Sequence, residues 1–310
     1  MSALIRGRRA RGVEPQAGIA LLLVVWLLAL LTVIAGEFIA SGRVKAAAER
    51  NKQDDLRGLA LALAGYRAAV AALDDQISGL ELDTDERLML RYRRLADGVP
   101  AAADDVPLGD GTYSWRVSDE DGLVNINTVQ RPVLVNLLQQ CGLEPGAERD
   151  TVIDSILDWR DPNRDHRLNG AEEDYYRGLD PPYSCKDGPF NVVEELLLVR
   201  GVTPRLFFGG EVDGQNMRGL RDLVSTRAPE LPNKWTAPPA VLEATNQTRP
   251  VTPTLSTTVS QHFVIIATGK PAGVKGEVTP RSLRAVVRRE DDGGSRIFTL
   301  VYWNDTYIPE

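Results

Sequence analysis

An acidic loop in the middle of the chain carries the side chains best suited to chemistry. Asp161, Asn163 and Asp165 are spaced two residues apart, and Arg167 and Glu172 occupy the seventh and twelfth positions counted from Asp161. This is the ligand spacing of an EF-hand loop, in which the seventh residue contributes only its backbone carbonyl. Hard oxygen ligands of this kind suit Ca²⁺ better than Zn²⁺. The spacing therefore predicts a calcium-binding loop.

The match to an EF-hand is incomplete. His166 stands at the sixth position, where an EF-hand needs glycine for its sharp turn, and Gly170 comes too late to replace it. We therefore predict a calcium loop with similar ligands rather than a true EF-hand. The flanking carboxylates that are further candidate ligands are Asp158, Glu173 and Asp174. The alternative is a solvated acidic loop balanced by neighbouring arginines, and we assign Asp180 and Asp187 to no site, although they could serve a second ion.

The composition of the 310-residue chain argues against an enzyme. Its formal charge is −7 and 43% of its residues are apolar, so it can bury a core and is a poor general binder of nucleic acid. Two cysteines are too few for a four-cysteine zinc site, and two histidines leave little room for histidine-based catalysis. Sequence motifs of serine hydrolases, zinc proteases, phosphate loops and dinucleotide-binding folds are missing from it.

The N-terminus predicts a membrane anchor. Residues 1–18 carry four arginines against one acid, whereas residues 19–36 carry no charge. A helix of that length rises about 27 Å, close to the thickness of bilayer hydrocarbon. The arginines predict that the N-terminal end stays in the cytoplasm and that everything after residue 40 lies outside it. The alternative is a secretory signal peptide, but its apolar run is usually only about 7–15 residues long.

The helical pattern continues beyond the apolar run as far as residue 77. Seven apolar residues recur at spacings of three and four, which places them on one face of a helix. They are Leu56, Leu59, Leu63, Tyr66, Val70, Leu73 and Ile77. We therefore expect one long helix over residues 19–78 that begins in a membrane and ends against the core of a soluble domain.

This plan resembles that of type IV pilin-like subunits. Gly18 ends the basic leader and the apolar helix starts at Ile19, which resembles the site where prepilin peptidases cleave and then methylate the new N-terminus. Such cleavage would change the formal charge from −7 to −10. Most of these subunits have Glu at the fifth mature position, where this chain has Leu23. Without a carboxylate to pair with a neighbour's amine, the subunit is expected at the filament tip.

Three stretches in the middle of the chain resemble the type II secretion system protein K family of minor pseudopilins. They are DEDGLVNINT, ILDWRDPNRDHRLNGAEEDYYRGLDPPY and GPFNVVEELLLVRGVTPRLF. The resemblance implies an α+β fold of the type IV pilin kind, a long N-terminal helix against an antiparallel sheet, with a large inserted helical domain. It also implies structural calcium in the insertion and a periplasmic domain anchored in the inner membrane. The implied partners are prepilin peptidase, the pseudopilus and the minor pseudopilins I and J, in a tip complex that initiates or caps assembly for protein export.

Two cysteines, Cys141 and Cys185, flank the acidic loop. Two buried thiols are one interpretation. The oxidising periplasm favours the other, a disulfide. A bridge closing this loop of 45 residues would stabilise the fold by about 4 kcal/mol on the chain-entropy model.

A helix-hairpin-helix resemblance gives an alternative function, a membrane-anchored DNA-uptake or DNA-binding receptor. The segment around Cys141 and residues 193–207 each resemble such a hairpin, which holds phosphates with backbone amides. However, Glu144 lies near the first expected phosphate position, and Thr203 and Pro204 replace glycine in the second. These departures and the negative charge favour packing units and a protein-binding surface, with no nucleic-acid partner.

Periodicity divides the remaining chain into further segments. Residues 111–119 alternate as a strand, and six prolines predict an extended linker over residues 226–260. Predicted helices lie at residues 132–140, 151–159 and 192–200, and predicted strands at 262–268, 282–289 and 296–303, the last two joined by a turn at 291–294. The predicted organisation is a leader (1–18), an N-terminal helix (19–78, with 19–36 in the membrane), the start of the pilin-like domain (79–119), the inserted domain (120–225), the linker (226–260) and the C-terminal strands (261–310).

Overall fold

The computed structural model describes residues 16–74, 77–82, 84, 87–92, 99–212, 214–249, 260–272, 279–292 and 295–307. The chain forms two compact units, Met1–Leu56 and Arg57–Glu310. Most of the predicted leader, part of the predicted linker and the glycines of the predicted turn lie outside the described residues.

A single helix, α1 (Gln16–Asp74), runs through the predicted membrane segment and beyond it. Within the described residues it is the one helix that is long and apolar enough to cross a membrane. The apolar side chains of its first part are bare, with Leu21 68% and Trp26 73% exposed. A run of large exposed apolar side chains marks a surface that another apolar phase covers.

The main sheet has five antiparallel strands in the order β12–β11–β10–β5–β4. Its strands are β4 (Ala102–Leu108), β5 (Gly111–Asp119), β10 (His262–Pro271), β11 (Arg281–Asp292) and β12 (Ser295–Tyr307). The four strands predicted at residues 111–119, 262–268, 282–289 and 296–303 are therefore confirmed. Three strands of a second antiparallel sheet were not predicted: β1 (Ile77–Leu82), β2 (Leu88–Tyr92) and β3 (Val99–Pro100).

Small residues make the contact between the second part of α1 and the sheet. A Cβ added to Gly269 on β10 would lie 2.1 Å from the carbonyl oxygen of Gly58, so the two backbones touch. Ala62 and Ala69 continue this buried face of the helix. The predicted stripe is confirmed in part: Leu73 is buried and Leu63, Tyr66 and Val70 pack against the core, whereas Leu56 is 56% exposed.

A separate core fills the inserted region. The elements around it are β6 (Val124–Asn125), α2 (Arg131–Gln140), α3 (Ala147–Arg160), α4 (Glu173–Arg177), α5 (Pro204–Phe208), β7 (Gly209–Val212), β8 (Gln215–Arg218), β9 (Val224–Ser225) and α6 (Pro239–Ala244). Strands β6 and β9 pair in parallel, and β7 pairs with β8 as a hairpin. The helix predicted at residues 192–200 is a 3₁₀ turn over Val193–Leu198.

The prediction of an extended linker was wrong for residues 226–249. This segment contains helix α6, and Val241 and Leu242 of that helix are buried in the core of the inserted region. The prolines suggested an extended chain, but apolar residues between them bury enough surface to fold the segment onto its neighbours. The inserted region therefore continues well past residue 225.

The inserted region begins and ends at the same place on the main sheet. Phe263 of β10 lies opposite Asp119 of β5, and the backbone N–H of Gln261 donates to the Asp121 carboxylate over 2.5 Å. The carboxylate of Asp119 accepts hydrogen bonds from Thr236 and from Ser260. The whole segment from residue 122 to 259 is thus one excursion between two hydrogen-bonded neighbouring strands.

Candidate metal centre

The acidic loop follows α3 and ends at α4. Asp158 comes from the last turn of α3 and has no exposed surface. Glu172 precedes the first residue of α4 and is 2% exposed. The apolar side of helix α3 faces the core of the inserted region, and Asp158 is buried on the same helix. Two buried carboxylates so close together need compensating charge.

Arg167 supplies part of that charge. Its Nη1 lies 2.5 Å from Asp158 Oδ1 and 2.5 Å from Asp161 Oδ2, so one guanidinium bridges two carboxylates. Burial still raises the pKa of Asp158, against the lowering effect of the Arg167 hydrogen bonds. The loop spacing assigned Arg167 a carbonyl ligand, whereas in the structure its side chain occupies the acidic cluster.

Glu172 lacks such compensation. Neither of its carboxylate oxygens makes a hydrogen bond within the described part of the chain. Burial, together with the nearby negative charges of Asp158, Asp187 and Asp161, raises the pKa of Glu172 to about 7. Ligand atoms of Glu172, Cys185 and Asp187 lie within 4.8 Å of one another, and Asp187 Oδ1 is also buried without a hydrogen bond.

The other predicted ligands lie apart from these oxygens or are held by other partners. Asn163 and Asp165 are exposed, and the side-chain oxygen of Asn163 accepts the backbone N–H of Asp165 over 2.8 Å. Glu173 pairs with Arg177 and also accepts the backbone N–H of Cys185. Asp174 pairs with His166 over 2.9 Å. The structure therefore places Asp187, which the sequence assigned to no site, beside Glu172, while Asp158 and Asp161 lie near enough to raise the pKa of Glu172.

The cluster fits a hard divalent cation. Glu172 and Asp187 supply buried carboxylate oxygens without hydrogen bonds, and oxygen donors of this kind suit Ca²⁺. Asp158 also needs glycine at position 170, since a Cβ there would lie 1.7 Å from Asp158 Oδ2. Cys185 is a poor ligand for Ca²⁺, because its soft sulfur favours softer metals.

The predicted disulfide is contradicted. Cys141 and Cys185 are both buried free thiols. Cys141 lies at the C-terminal end of α2, where burial and Asp222 raise its pKa to about 12, while Cys185 lies near Glu172 and Asp187. The two sulfurs thus occupy different surroundings in the core of the inserted region, which they help to fill.

The hairpins that resemble DNA-binding motifs serve packing. Asn127 of the NINT motif exchanges two hydrogen bonds with the backbone of Phe190, and Arg160 donates to the carbonyl of Val129 over 2.6 Å. In the second hairpin, a Cβ on Gly201 would lie 2.9 Å from a Val152 methyl. These backbone groups are committed to the core of the inserted region.

Comparisons with known proteins point to one family. Residues 114–208 match the family model of type II secretion system protein K. Type II secretion system protein K of Aeromonas hydrophila is 29% identical over 62% of this chain and 61% of its own length. The protein of the same name from Klebsiella pneumoniae is 25% identical over 62% of this chain and 60% of its own length. The chain thus spans about three fifths of the length of these curated relatives, and the resemblance predicted from the three motif stretches is confirmed.

The fold also has a solved counterpart. A chain of the GspK–GspI–GspJ complex from the type 2 secretion system of enterotoxigenic Escherichia coli superposes with a TM-score of 0.57. The match covers 83% of this chain and 98% of that one, at 14% sequence identity. The predicted fold class, α+β of the pilin-like kind with an inserted helical region, is confirmed.

Proposed function

We propose that this chain is a minor pseudopilin of the type II secretion system that acts at the tip of the pseudopilus. The match of residues 114–208 to the protein K family model carries the proposal, and the fold shared with a chain of the GspK–GspI–GspJ complex supports it. The protein works by assembly rather than catalysis. Its task is to initiate or cap a filament that drives protein export across the outer membrane.

The N-terminal helix provides the anchor. Its bare apolar part spans the inner membrane once, and the four arginines before it keep the N-terminus in the cytoplasm. Prepilin peptidase cleaves between Gly18 and Ile19, and Ile19 is then methylated. The folded domain therefore lies in the periplasm, where it meets the other minor pseudopilins.

Leu23 and the inserted region suit the tip position. Leu23 offers no carboxylate to the free amine of a neighbouring subunit, so that ion pair does not recruit this chain into the filament shaft. The inserted region adds bulk beside the sheet, which blocks further subunits from adding above it. The solved complex contains GspK, GspI and GspJ, and we propose that this chain likewise joins the I and J pseudopilins of its own system.

Calcium has a structural role in this proposal. Glu172 and Asp187 would hold the ion, which supplies the positive charge that their buried oxygens lack, and Asp158 and Asp161 are the neighbouring carboxylates. The long segment between α3 and α4 has little regular structure, and a bound cation would hold it against the core of the inserted region.

Intact mass and N-terminal sequencing of the protein from membranes test the proposal. A start at Ile19 and co-purification with the two other minor pseudopilins are expected. A start near residue 36, or an intact Met1 without such partners, would contradict it. Retention on DNA at physiological salt would instead favour the DNA receptor.

A further inference from the structure

A groove lies on the face of the main sheet that points away from α1. Along β10, Phe263, Ile265 and Ala267 point towards the helix, so Val264 and Ile266 point to the opposite face. There a cavity of about 480 Å³ opens between the sheet and the inserted region. A second cavity of about 360 Å³ shares Ile266 with the first and extends to Asp104 on β4. The two cavities adjoin, because Arg221 and Tyr307 also line both, and together they form one groove across several strands.

Glu120 gives the groove a buried acidic end. Glu120 is 2% exposed and lines the larger cavity, yet its Oε2 atom makes no hydrogen bond to the described residues. Arg227 Nη1 forms an ion pair with Glu120, but it lies 3.9 Å from Oε1, too far for a hydrogen bond. A buried carboxylate oxygen left without a donor is costly unless a donor arrives from outside.

Two arginines give the sheet face the opposite charge. Arg116 lies opposite Ile266 on β5, and Arg284 lies opposite the same residue on β11. Arg116 is exposed, and Arg284 stacks on Tyr302 at 5.5 Å from the ring centroid. In the part of the chain that the structure describes, neither forms an ion pair with a carboxylate. The groove therefore carries charges of both signs, with Arg116 and Arg284 over the sheet and Glu120 at the buried end. The other charged residues that line it are Asp104, Asp119, Glu194, Arg218, Arg221 and Asp222.

We propose that this groove binds an extended segment of one of the other minor pseudopilins. A lysine or arginine of that segment donates to Glu120, and neighbouring acidic residues face Arg116 and Arg284. The inference rests on the proposed function, because it assigns the partner to that assembly. A donor from the partner satisfies the orphaned oxygen of Glu120, and charge complementarity sets the register of the segment.

Charge-neutralising variants test the contact in the full-length proteins, purified together in detergent. Glu120→Gln and Arg284→Gln should each weaken partner binding about tenfold or more, because each leaves a partner charge uncompensated. Arg288→Gln is the matched control, since it lies on the same strand, pairs with Glu290 and lines neither cavity. It should bind within about twofold of the wild type. Unfolding temperatures of the free variants show whether each folds, and Arg284→Gln decides the test if Glu120→Gln does not.

A photo-crosslinker locates the segment. Benzoylphenylalanine in place of Glu194, an exposed residue of the groove wall, should crosslink to a partner peptide with a basic residue beside acidic ones. The same group in place of Leu168, 96% exposed and outside the groove, is the control. The groove proposal is overturned if the complex forms normally without crosslinks at position 194. It is also overturned if Glu120→Gln and Arg284→Gln both bind the partner with unchanged affinity. Either result leaves the pseudopilin proposal standing. Failure of the wild-type proteins to associate overturns both.

Discussion

At the scale of single residues, loop spacing and the structure give different ligand sets for the calcium ion, and mutations can distinguish them. Loop spacing selects Asp165, whereas the structure exposes Asp165 and places Asp187 beside Glu172. We expect saturating Ca²⁺ to stabilise the wild type by about 2.7 kcal/mol at a hundredfold excess over Kd. Asp187→Asn and Glu172→Gln should lose most of this gain, and Asp165→Asn should keep it. Thermal unfolding in chelator and in Ca²⁺ measures the difference.

The metal-free protein provides the control for that experiment. At pH 8 in chelator, Glu172→Gln should be at least as stable as the wild type, because it removes a buried charge that lies among other carboxylates. Equal calcium responses in Asp187→Asn and wild type, with loss of the response in Asp165→Asn, would instead support the ligand set given by loop spacing.

Asp119 predicts a pH dependence. Burial raises the pKa of Asp119 to about 6, against hydrogen bonds from Ser260 and Thr236 that lower it. The folded state therefore binds this proton more tightly than the unfolded state. The resulting stabilisation is complete below about pH 4 and is lost as the pH rises through 6. Its size is about 1–3 kcal/mol.

Urea unfolding between pH 4 and 7 tests this slope. In Asp119→Asn the unfolding free energy should decline less over that interval than in the wild type, whatever the offset between the two proteins. Asp110→Asn is the control, because Asp110 is exposed on the turn between β4 and β5. Parallel pH profiles for wild type and Asp119→Asn would show that Asp119 is ionised throughout.

The sequence predicts some of the candidate metal ligands and misses others, for a physical reason. Spacing within one loop identified Asp161 and Glu172, because their separation is local. Asp187 joins them through the folding of a long segment, and the distance between Cys141 and Cys185 depends on the same folding. Neither follows from residue types, so the sequence placed Asp187 apart and predicted a bridge that the structure lacks.

At the scale of elements, the contact between α1 and the sheet depends on glycine. Gly269→Ala would place a methyl 2.1 Å from the Gly58 carbonyl oxygen and 2.6 Å from the Ala62 nitrogen. We expect a loss of about 2–3 kcal/mol in unfolding free energy, because backbone on both sides cannot yield easily. Gly188→Ala is the matched control, because the added Cβ would meet only the Lys186 carbonyl oxygen, at an ordinary contact distance of 3.7 Å. Chemical denaturation of both variants measures the effect, and equal stability would contradict the close approach.

The same contact shows what periodicity can predict about an element. Four of the five strands of the main sheet were predicted within a few residues, whereas β4 was not predicted. In the helix, the pattern gives weight to large apolar side chains and none to glycine. Close packing also selects small residues, so Gly58 and Gly65 lie at the interface together with the stripe residue Leu73, while Leu56 remains exposed. Length and apolarity identified the helix and part of its contact face.

At the scale of the whole molecule, the insertion is removable in principle. Since Asp121 and Gln261 are hydrogen-bonded, residues 122–259 can be replaced by a short Gly-Ser loop that joins β5 to β10 directly. The helix and sheet have cores of their own, so the shortened protein should fold and enter the membrane. Secretion should fall to the level of a strain that lacks the gene. Normal secretion by the shortened protein would contradict a role for the insertion at the tip.

The same connection determines the order in which the protein can be completed. Strand β10 is the direct partner of β5, yet every residue from 122 to 259 leaves the ribosome between them. The inserted region, with its own core, can acquire its structure first, while one edge of β5 and the sheet-facing side of α1 wait uncovered. Unpaired strand edges invite wrong partners. Newly made chains are therefore most open to wrong strand pairing during the interval before residue 271 has been synthesised.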